Sequence, residues 1–443
     1  MARGGPLTSS AAVLLFAALA ALLYTAELPR AVVVWGIWRP RAKTAISNAA
    51  DFRVIADTVH CEDVQYHESS NLLFTACEGT EATRFAWFPP LARFGDPTAA
   101  LKAQGALEVV DPATMTAKRL KFTNFNGPFV THGIDVLDDP DKPTGEAVYI
   151  FAVNHVPSPA YAEDKNTKEH KARSIIEVFY YVIGGDSVEH VRSVWHPLIK
   201  TPNDVLALSP TSFFVSNDHY FRQGLLRSVE MLYFGAKWTD VVHVNFDELA
   251  DGAFRNDDHL VTASVAVGGI HNTNGLAFGR THTEVVIAGS ESGRLHLGQV
   301  SQTEDSKGHR SIFVTDTIDF DSVLDNPGWF HDPFAGHGRG DASGLLVPGL
   351  PKALDLLSAI RDPQGSCGSI VWIARPVASN GTEGSSDAWE KKVLFEDDSS
   401  RLRTASAAAL VAIDPQKEGG KKKAWLFVTG FLAKSMIAVK VDL

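Results

Sequence analysis

Asn203-Asp204 and Asn217-Asp218 flank a stretch whose middle is Ser209-Pro210-Thr211. Glu62-Asp63, His132, His155, Asn274 and Asp325-Asn326 are placed in the same way, each beside a short apolar run. Carboxylates, amides and backbone carbonyls are the donors a hard cation takes, and Ca2+ gathers roughly six to eight such oxygens. Amides carry no charge, so a set rich in Asn leaves the ion effective as a Lewis acid toward a carbonyl. Zinc would need His or Cys at tetrahedral spacing, and no such pattern stands out. His132 and His155 bound one predicted hairpin. They are expected to be neighbours and to form a general-base dyad, since imidazole titrates near neutrality. Taken singly, an Asn-Asp at a strand end caps a turn. The case for chemistry is that several such sites recur at matching positions.

Those positions follow from the elements around them. Val205 to Leu208 and Phe213 to Val215, joined by the turn Ser209-Pro210-Thr211, read as a hairpin that brings both Asn-Asp pairs to one end. Cys61 to Ala76, Thr131 to His155 and Asn272 to Ala288 repeat the scheme of polar residue, strand, turn and returning strand. The polar starts Glu62, His132, Asn203 and Asn274 stand 70, 71 and 71 residues apart, and Asn326 follows Asn274 by 52. A last hairpin, Ala405 to Ile413 with Ala424 to Thr429, completes six units. Few segments read as helix. The expected class is all-β, a six-bladed β-propeller with a central channel over residues 44–443. The starts of its innermost strands converge at one channel mouth. Phe52 to Ile55 is expected to close the ring by pairing near Met436 to Val441.

The chain has 443 residues, 45% hydrophobic and 21% charged, which excludes disorder over most of its length. A net charge of -11 without basic blocks excludes a nucleic-acid partner; Lys421-Lys422-Lys423 reads as a solvated turn. Ala11 to Leu23 is almost wholly apolar and Arg3 precedes it. Residues 1–43 therefore read as a signal or signal-anchor segment and linker, containing an N-terminal hydrophobic helix. Tyr24-Thr25-Ala26-Glu27 is a poor cleavage site, which favours a retained anchor with membrane association through residues 11–26. Either form directs the rest to the secretory pathway, membrane-anchored or secreted. Asn380-Gly381-Thr382 is a glycosylation sequon. Cys61 and Cys77 face each other across a predicted hairpin, as a disulfide or as two buried thiols. Gly289-Ser290-Glu291-Ser292-Gly293 is no nucleophile elbow, because Glu291 holds the nucleophile position. No phosphate-binding or dinucleotide fingerprint occurs. His219, His331 and His337 are lesser candidates. The Gly- and Pro-rich run Pro327 to Pro351 reads as a long loop, either a lid or a surface insertion.

Cys61-Glu62-Asp63, Thr131-His132-Gly133-Ile134, Val153-Asn154-His155, Pro202-Asn203-Asp204-Val205, Ser216-Asn217-Asp218-His219-Tyr220-Phe221, Asn274-Gly275 and Leu324-Asp325-Asn326 occur in the order of the serum paraoxonase/arylesterase family. The chain resembles that family well from Phe52 to Asn326 and weakly beyond. The resemblance implies a six-bladed propeller holding two calcium ions, and a hydrolase of lactones, aryl esters and some organophosphates. It implies a catalytic Ca2+ on Glu62, Asn203, Asn274, Asp325 and Asn326. A structural Ca2+ would sit on Asp63, Asp204 and the Ile134 carbonyl. Water would be activated by His132 and His155 or by a carboxylate, Glu62 or Asp325, with Asp218 and His219 in support. The family's disulfide joins a cysteine near its first strand to one near its C-terminus; here Val439 to Leu443 holds no cysteine, and Cys61 with Cys77 cannot replace that bridge. Two other readings stand beside this one: a membrane-anchored, calcium-stabilised binding propeller without turnover, and a strictosidine-synthase-like propeller enzyme.

Overall fold

The computed structural model describes residues 13–14, 27–41, 49–247, 260–336, 340–377 and 389–443. The core of the expected N-terminal helix, His337 and the sequon at Asn380 lie outside them, residues 13–14 aside. Among the described residues no helix is long and apolar enough to cross a membrane.

Six antiparallel sheets follow one another around a ring. Blade 1 runs outward through Val64–His67, Leu72–Cys77, Ala106–Asp111 and Thr116–Arg119. Blade 2 is Thr131–Asp138, Ala147–Asn154, Ile175–Val182 and Ser187–Val194, with Lys121–Thr123 added in parallel at its outer edge. Blade 3 is Pro202–Ser209, Ser212–Asn217, Thr239–Phe246 and Val261–Ile270. Blade 4 is Thr273–Phe278, Glu284–Gly289, Arg294–Val300 and Ile312–Asp319. Blade 5 has a broken inner strand, Val323–Leu324 and Gly328–Phe330, then Gly344–Leu350, Ser369–Pro376 and Trp389–Asp397. Blade 6 is Ala405–Ile413, Lys423–Gly430 and Met436–Asp442, completed by Phe52–Ile55. Phe52 pairs with Val439 and Ile55 with Met436, the ring closure expected from the sequence.

Runs without polar alternation become intelligible in this ring. A middle strand is sandwiched by two neighbouring blades, so both of its faces are buried. Val285 and Ile287 pack with Leu206 and Phe214 of blade 3, while Val286 and Ala288 pack with Leu345 and Val347 of blade 5. Each seam between consecutive blades holds one such apolar cluster. The seam closing the ring packs Ile55 and Phe427 against Val64 and Leu73. A further cluster lies over one channel mouth, where Val34, Leu350, Ala359 and Phe431 meet. It seats the helix Leu28–Val34, which enters through Pro29, on blades 5 and 6, while Arg30 of the helix bonds to the Ser292 and Gly293 carbonyls of blade 4.

The loop expected over Pro327 to Pro351 is sheet at both ends, with turn and irregular backbone in the described residues between them. Gly328–Phe330 and Gly344–Leu350 pair within blade 5, Gly328 opposite Leu346. Pro348 and Gly349 gave this strand the look of a loop. Yet Pro348 stands opposite the break where Asp325 and Asn326 leave the ladder, so its missing N–H costs nothing. A Cβ on Gly349 would fall 1.9 Å from the Val323 carbonyl oxygen, so the close approach of the two strands excludes any side chain.

Candidate active site

Glu62-Asp63, His132, Asn203-Asp204 and Asn274 stand where inner strands begin, several of them in bulges; Asp325-Asn326 fill the break in the blade 5 inner strand and His155 follows the returning strand of blade 2. The blade 3 register shifts between Pro202 and Val205, across Asn203-Asp204. In blade 4 it shifts between Thr273 and Leu276, across Asn274-Gly275. In blade 2 it shifts between Ala152 and Asn154, facing the segment that holds His132. A bulge breaks the side-chain alternation and lets two successive residues turn toward the channel. The neighbouring strands then approach closely. A Cβ on Gly133 would lie 2.4 Å from Asp204 Oδ1, and one on Gly275 would lie 2.4 Å from Asn326 Cα. The glycines after His132 and Asn274 are therefore needed to seat the residues of the next blade.

The candidates fall into two layers. In the first, both oxygens of Glu62 accept from Asn326 Nδ2, at 3.0 and 3.1 Å. His132 Nε2 stands 3.7 Å from Glu62 Oε1. Glu62, His132, Asn203, Asn274 and Asp325 line one cavity of about 420 Å3. In the second layer, Asp63 accepts from Val64 N at 2.7 Å and from Ile134 N of the next blade at 2.9 Å. The Ile134 carbonyl accepts from Gln65 Nε2. Asp204 likewise accepts from Val205 N and, across the seam, from Leu276 N at 2.7 Å. Asp135, not singled out from the sequence, repeats the pattern by accepting from Val136 N and from Ala207 N of blade 3. Three acids thus lace blades 1 to 4 together. Asp63 and Asn326 also line a second cavity, of about 450 Å3, with Trp329 and His331. His331 therefore belongs to the cavity that does not contain His132, and among the described residues of the run after Asn326 Leu350 is the one that lines the first.

Electrostatics favour a cation here. Burial pushes the carboxyls of Glu62, Asp204 and Asp325 well up, and their neighbours' negative charge pushes them further. Burial holds Asp63 at about 6 despite its bonds from Ile134, Val64 and Gln65. Asn203 Oδ1 and Asn326 Oδ1 are buried and accept no hydrogen bond, a costly state for an amide oxygen with nothing beside it. Among the described residues no three His, Cys, Asp or Glu side chains form a metal-binding group by themselves. The set is completed by amides, and its all-oxygen chemistry suits a hard divalent cation. Arg84 supplies one buried cation nearby, paired with Glu78 at 3.2 Å and lying over the Phe88 ring at 3.9 Å.

Phe88 in turn sets its edge against His132 and His155, with centroids 5.1 and 5.8 Å away. The two histidines meet as expected, His155 Nε2 lying 3.1 Å from His132 Nδ1. His155 Nδ1 is 2.8 Å from Ser174 Oγ, a partner that no sequence pattern marked. Burial, with the charge of Arg84, lowers His132 to about 3; burial, with His132 beside it, puts His155 well below the usual imidazole value. Burial thus favours the uncharged form of both rings. The second Asn-Asp pair has separate roles. Asn217 Oδ1 accepts from Lys200 N and Thr201 N, and its amide donates to Asp240, so it is a structural cap. Asp218 pairs with His219 at 2.9 Å and faces Arg227 at 3.9 Å. Burial alone would raise Asp218, but these partners outweigh it and hold the carboxyl at about 2. Cys61 and Cys77 are joined by a disulfide directly before Glu62, which resolves the alternative left open by the sequence.

Comparison with known proteins bears out the resemblance at modest identity. A family model described as Arylesterase matches residues 126–255. Serum paraoxonase/arylesterase 2 of Gallus gallus is 34% identical over 127 residues, 29% of this chain and 30% of that protein. Serum paraoxonase/arylesterase 1 of Mus musculus is 27% identical over 198 residues, 45% of each chain. Serum paraoxonase/arylesterase 2 of Homo sapiens is 26% identical over 200 residues, again 45% of each. The match spans less than half the length of each of these relatives. Among solved structures, a luciferin-regenerating enzyme gives a TM-score of 0.42 at 12% identity, covering 88% of this chain and 95% of its own.

Proposed function

We propose that this chain is a calcium-dependent hydrolase of carboxylic esters, a lactonase or arylesterase. The observation that carries the reading is the placement of the His132–His155 pair beside a buried oxygen set with two unfilled amide oxygens, at a cavity with apolar walls. The kinship with arylesterases named above supports it. Glu62, Asn203, Asn274, Asp325 and Asn326 would hold one Ca2+; Asp63, Asp204 and the Ile134 carbonyl would hold a second. Calcium bound at the first set would supply a Lewis acid that polarises the ester carbonyl and stabilises negative charge on its oxygen.

The histidines would supply the base, a weak one at the lowered values that burial gives them. For His132 Nε2 to accept a proton from water, its Nδ1 must carry hydrogen and donate it to His155 Nε2. His155 then carries its own hydrogen on Nδ1 and donates to Ser174 Oγ. The observed contacts, 3.1 and 2.8 Å, allow this chain in that order. Phe88 fixes both rings from the side. Glu62 and Asp325, whose protonated forms burial favours, are the alternative bases. Phenyl acetate and a δ-lactone should be hydrolysed by the purified chain and spared after EGTA treatment. Full turnover in metal-free protein would overturn the proposal.

The same reading places the protein in the secretory pathway, held at a membrane through residues 11–26 or released. The Cys61–Cys77 disulfide, which persists only in an oxidising compartment, supports that route.

A further inference from the structure

The wall of the first cavity contains a carboxyl that neither the calcium sets nor the histidine pair uses. Glu291 sits at the tip of the turn between Glu284–Gly289 and Arg294–Val300 in blade 4. That turn is fixed on every side. Ser290 Oγ donates to the Leu324 carbonyl and Ser292 Oγ to that of Gly289. Arg30, from the helix Leu28–Val34, donates to the carbonyls of Ser292 and Gly293. Gly293 adopts φ +63, where a side chain would also press on the Phe320 carbonyl at 2.7 Å.

The Glu291 carboxylate receives one neutral donor, the Trp35 indole N–H, at 3.1 Å. Trp35 itself is locked edge-on against Phe234, 5.4 Å away, and lines the same cavity. No cation among the described residues faces Glu291. Of the arginines on the cavity, Arg227 is held by Asp218 and by the Arg222 and Pro90 carbonyls, and Arg361 stands exposed. Burial pushes the Glu291 carboxyl up to about 7, and the indole bond offsets only part of that. A rigid, half-buried carboxylate with no charge partner in a ligand cavity lacks one thing, a cation from outside.

We propose that Glu291 is a specificity-determining residue that receives a primary ammonium group on the part of the substrate remote from the reacting carbonyl. This deepens the hydrolase reading and rests on it for the word substrate. Amino-substituted aryl esters or lactones are the class it selects. Trp35 fixes the carboxylate, and the neighbouring apolar wall takes the hydrocarbon between ammonium and carbonyl.

The test compares 4-(aminomethyl)phenyl acetate with its neutral counterpart 4-ethylphenyl acetate, in the native chain and in Glu291→Gln, both loaded with Ca2+. Gln keeps the size and the acceptor for Trp35. Native protein should favour the cationic ester. The variant should lose about ten-fold or more in kcat/KM on it and stay within about two-fold on the neutral one, as expected for one charge-assisted contact. Equal losses on both esters, or a preference unchanged by the substitution, would overturn the proposal. A second arm needs no turnover: benzylamine is titrated into both proteins by calorimetry. Saturable binding that the variant loses supports the ammonium site even where no ester is cleaved, in which case the hydrolase reading alone fails. Absent binding to the native chain, or equal binding to both, sinks the site itself.

Discussion

His155 Nε2 lies 3.1 Å from His132 Nδ1, and His155 is tied at its other nitrogen to Ser174. Catalysis by this pair requires His155 only as a relay, so replacing it should cost rate and spare metal. His155→Gln is expected to lower kcat on phenyl acetate by about 10-fold or more, short of the roughly 100-fold or greater loss that removing the base His132 itself would bring. Calcium should still raise its melting temperature as in the native chain. A variant with native kcat would move the base to Glu62 or Asp325.

The two unfilled oxygens, Asn203 Oδ1 and Asn326 Oδ1, identify where bound calcium should matter most. In Asn203→Ala the rise in melting temperature on adding Ca2+ should shrink and turnover should fall with it. Metal-free Asn203→Ala should melt close to the metal-free native chain, because the lost oxygen has no partner there. Scanning calorimetry with EGTA and with Ca2+ gives both readings, and an undiminished calcium shift would remove Asn203 from the site.

Asp135 laces blade 2 to blade 3 through Ala207 N and lies outside the proposed calcium sets. Asp135→Asn turns one acceptor into a donor aimed at backbone N–H groups. The expected cost is about 1–3 kcal/mol in urea unfolding, with an unchanged dependence of activity on calcium. A loss of calcium affinity would instead make Asp135 part of the metal site.

The Cys61–Cys77 disulfide closes a loop with a sequence separation of 16. A loop of that size restricts the unfolded chain by about 3 kcal/mol. Cys61→Ser with Cys77→Ser should therefore unfold at lower denaturant. Because Cys61 precedes Glu62, its calcium titration should also shift toward higher concentration. Unchanged unfolding and titration would leave the bridge without a role at the site.

What the sequence made legible was periodicity. The regular steps between Glu62, His132, Asn203 and Asn274 are visible because each blade restarts its inner strand at the same mouth, whatever fills the blade. The run Val285 to Ala288 announced a strand because two seams bury both of its faces. What stayed hidden was contact between elements. Ser174 reaches His155 from a neighbouring strand end with no motif around it, and Asp135 stands just past the picked residues His132 and Ile134 on the strand Thr131–Asp138, with nothing in the sequence to mark its bond across the seam. Glu291 was noticed only for failing as a nucleophile elbow; its tie to Trp35 bridges residues 256 apart. The strand Gly344–Leu350 at the end of the run after Asn326 is not legible because Pro348 and Gly349 look like loop residues until the broken strand opposite them is seen.

The ring is fastened by Phe52–Ile55 lying on Met436–Asp442, and the backbone carbonyl of Glu62 accepts from that same last blade, from Ser406 Oγ and Thr429 Oγ1. During synthesis the ribosome must therefore release nearly the whole chain before the first candidate ligand acquires its final anchors. Blades 2 to 4 have their own seams and are free to consolidate earlier. Completion of the site becomes a late, whole-chain event, so a nascent or truncated product would carry folded blades and still lack its reactive centre.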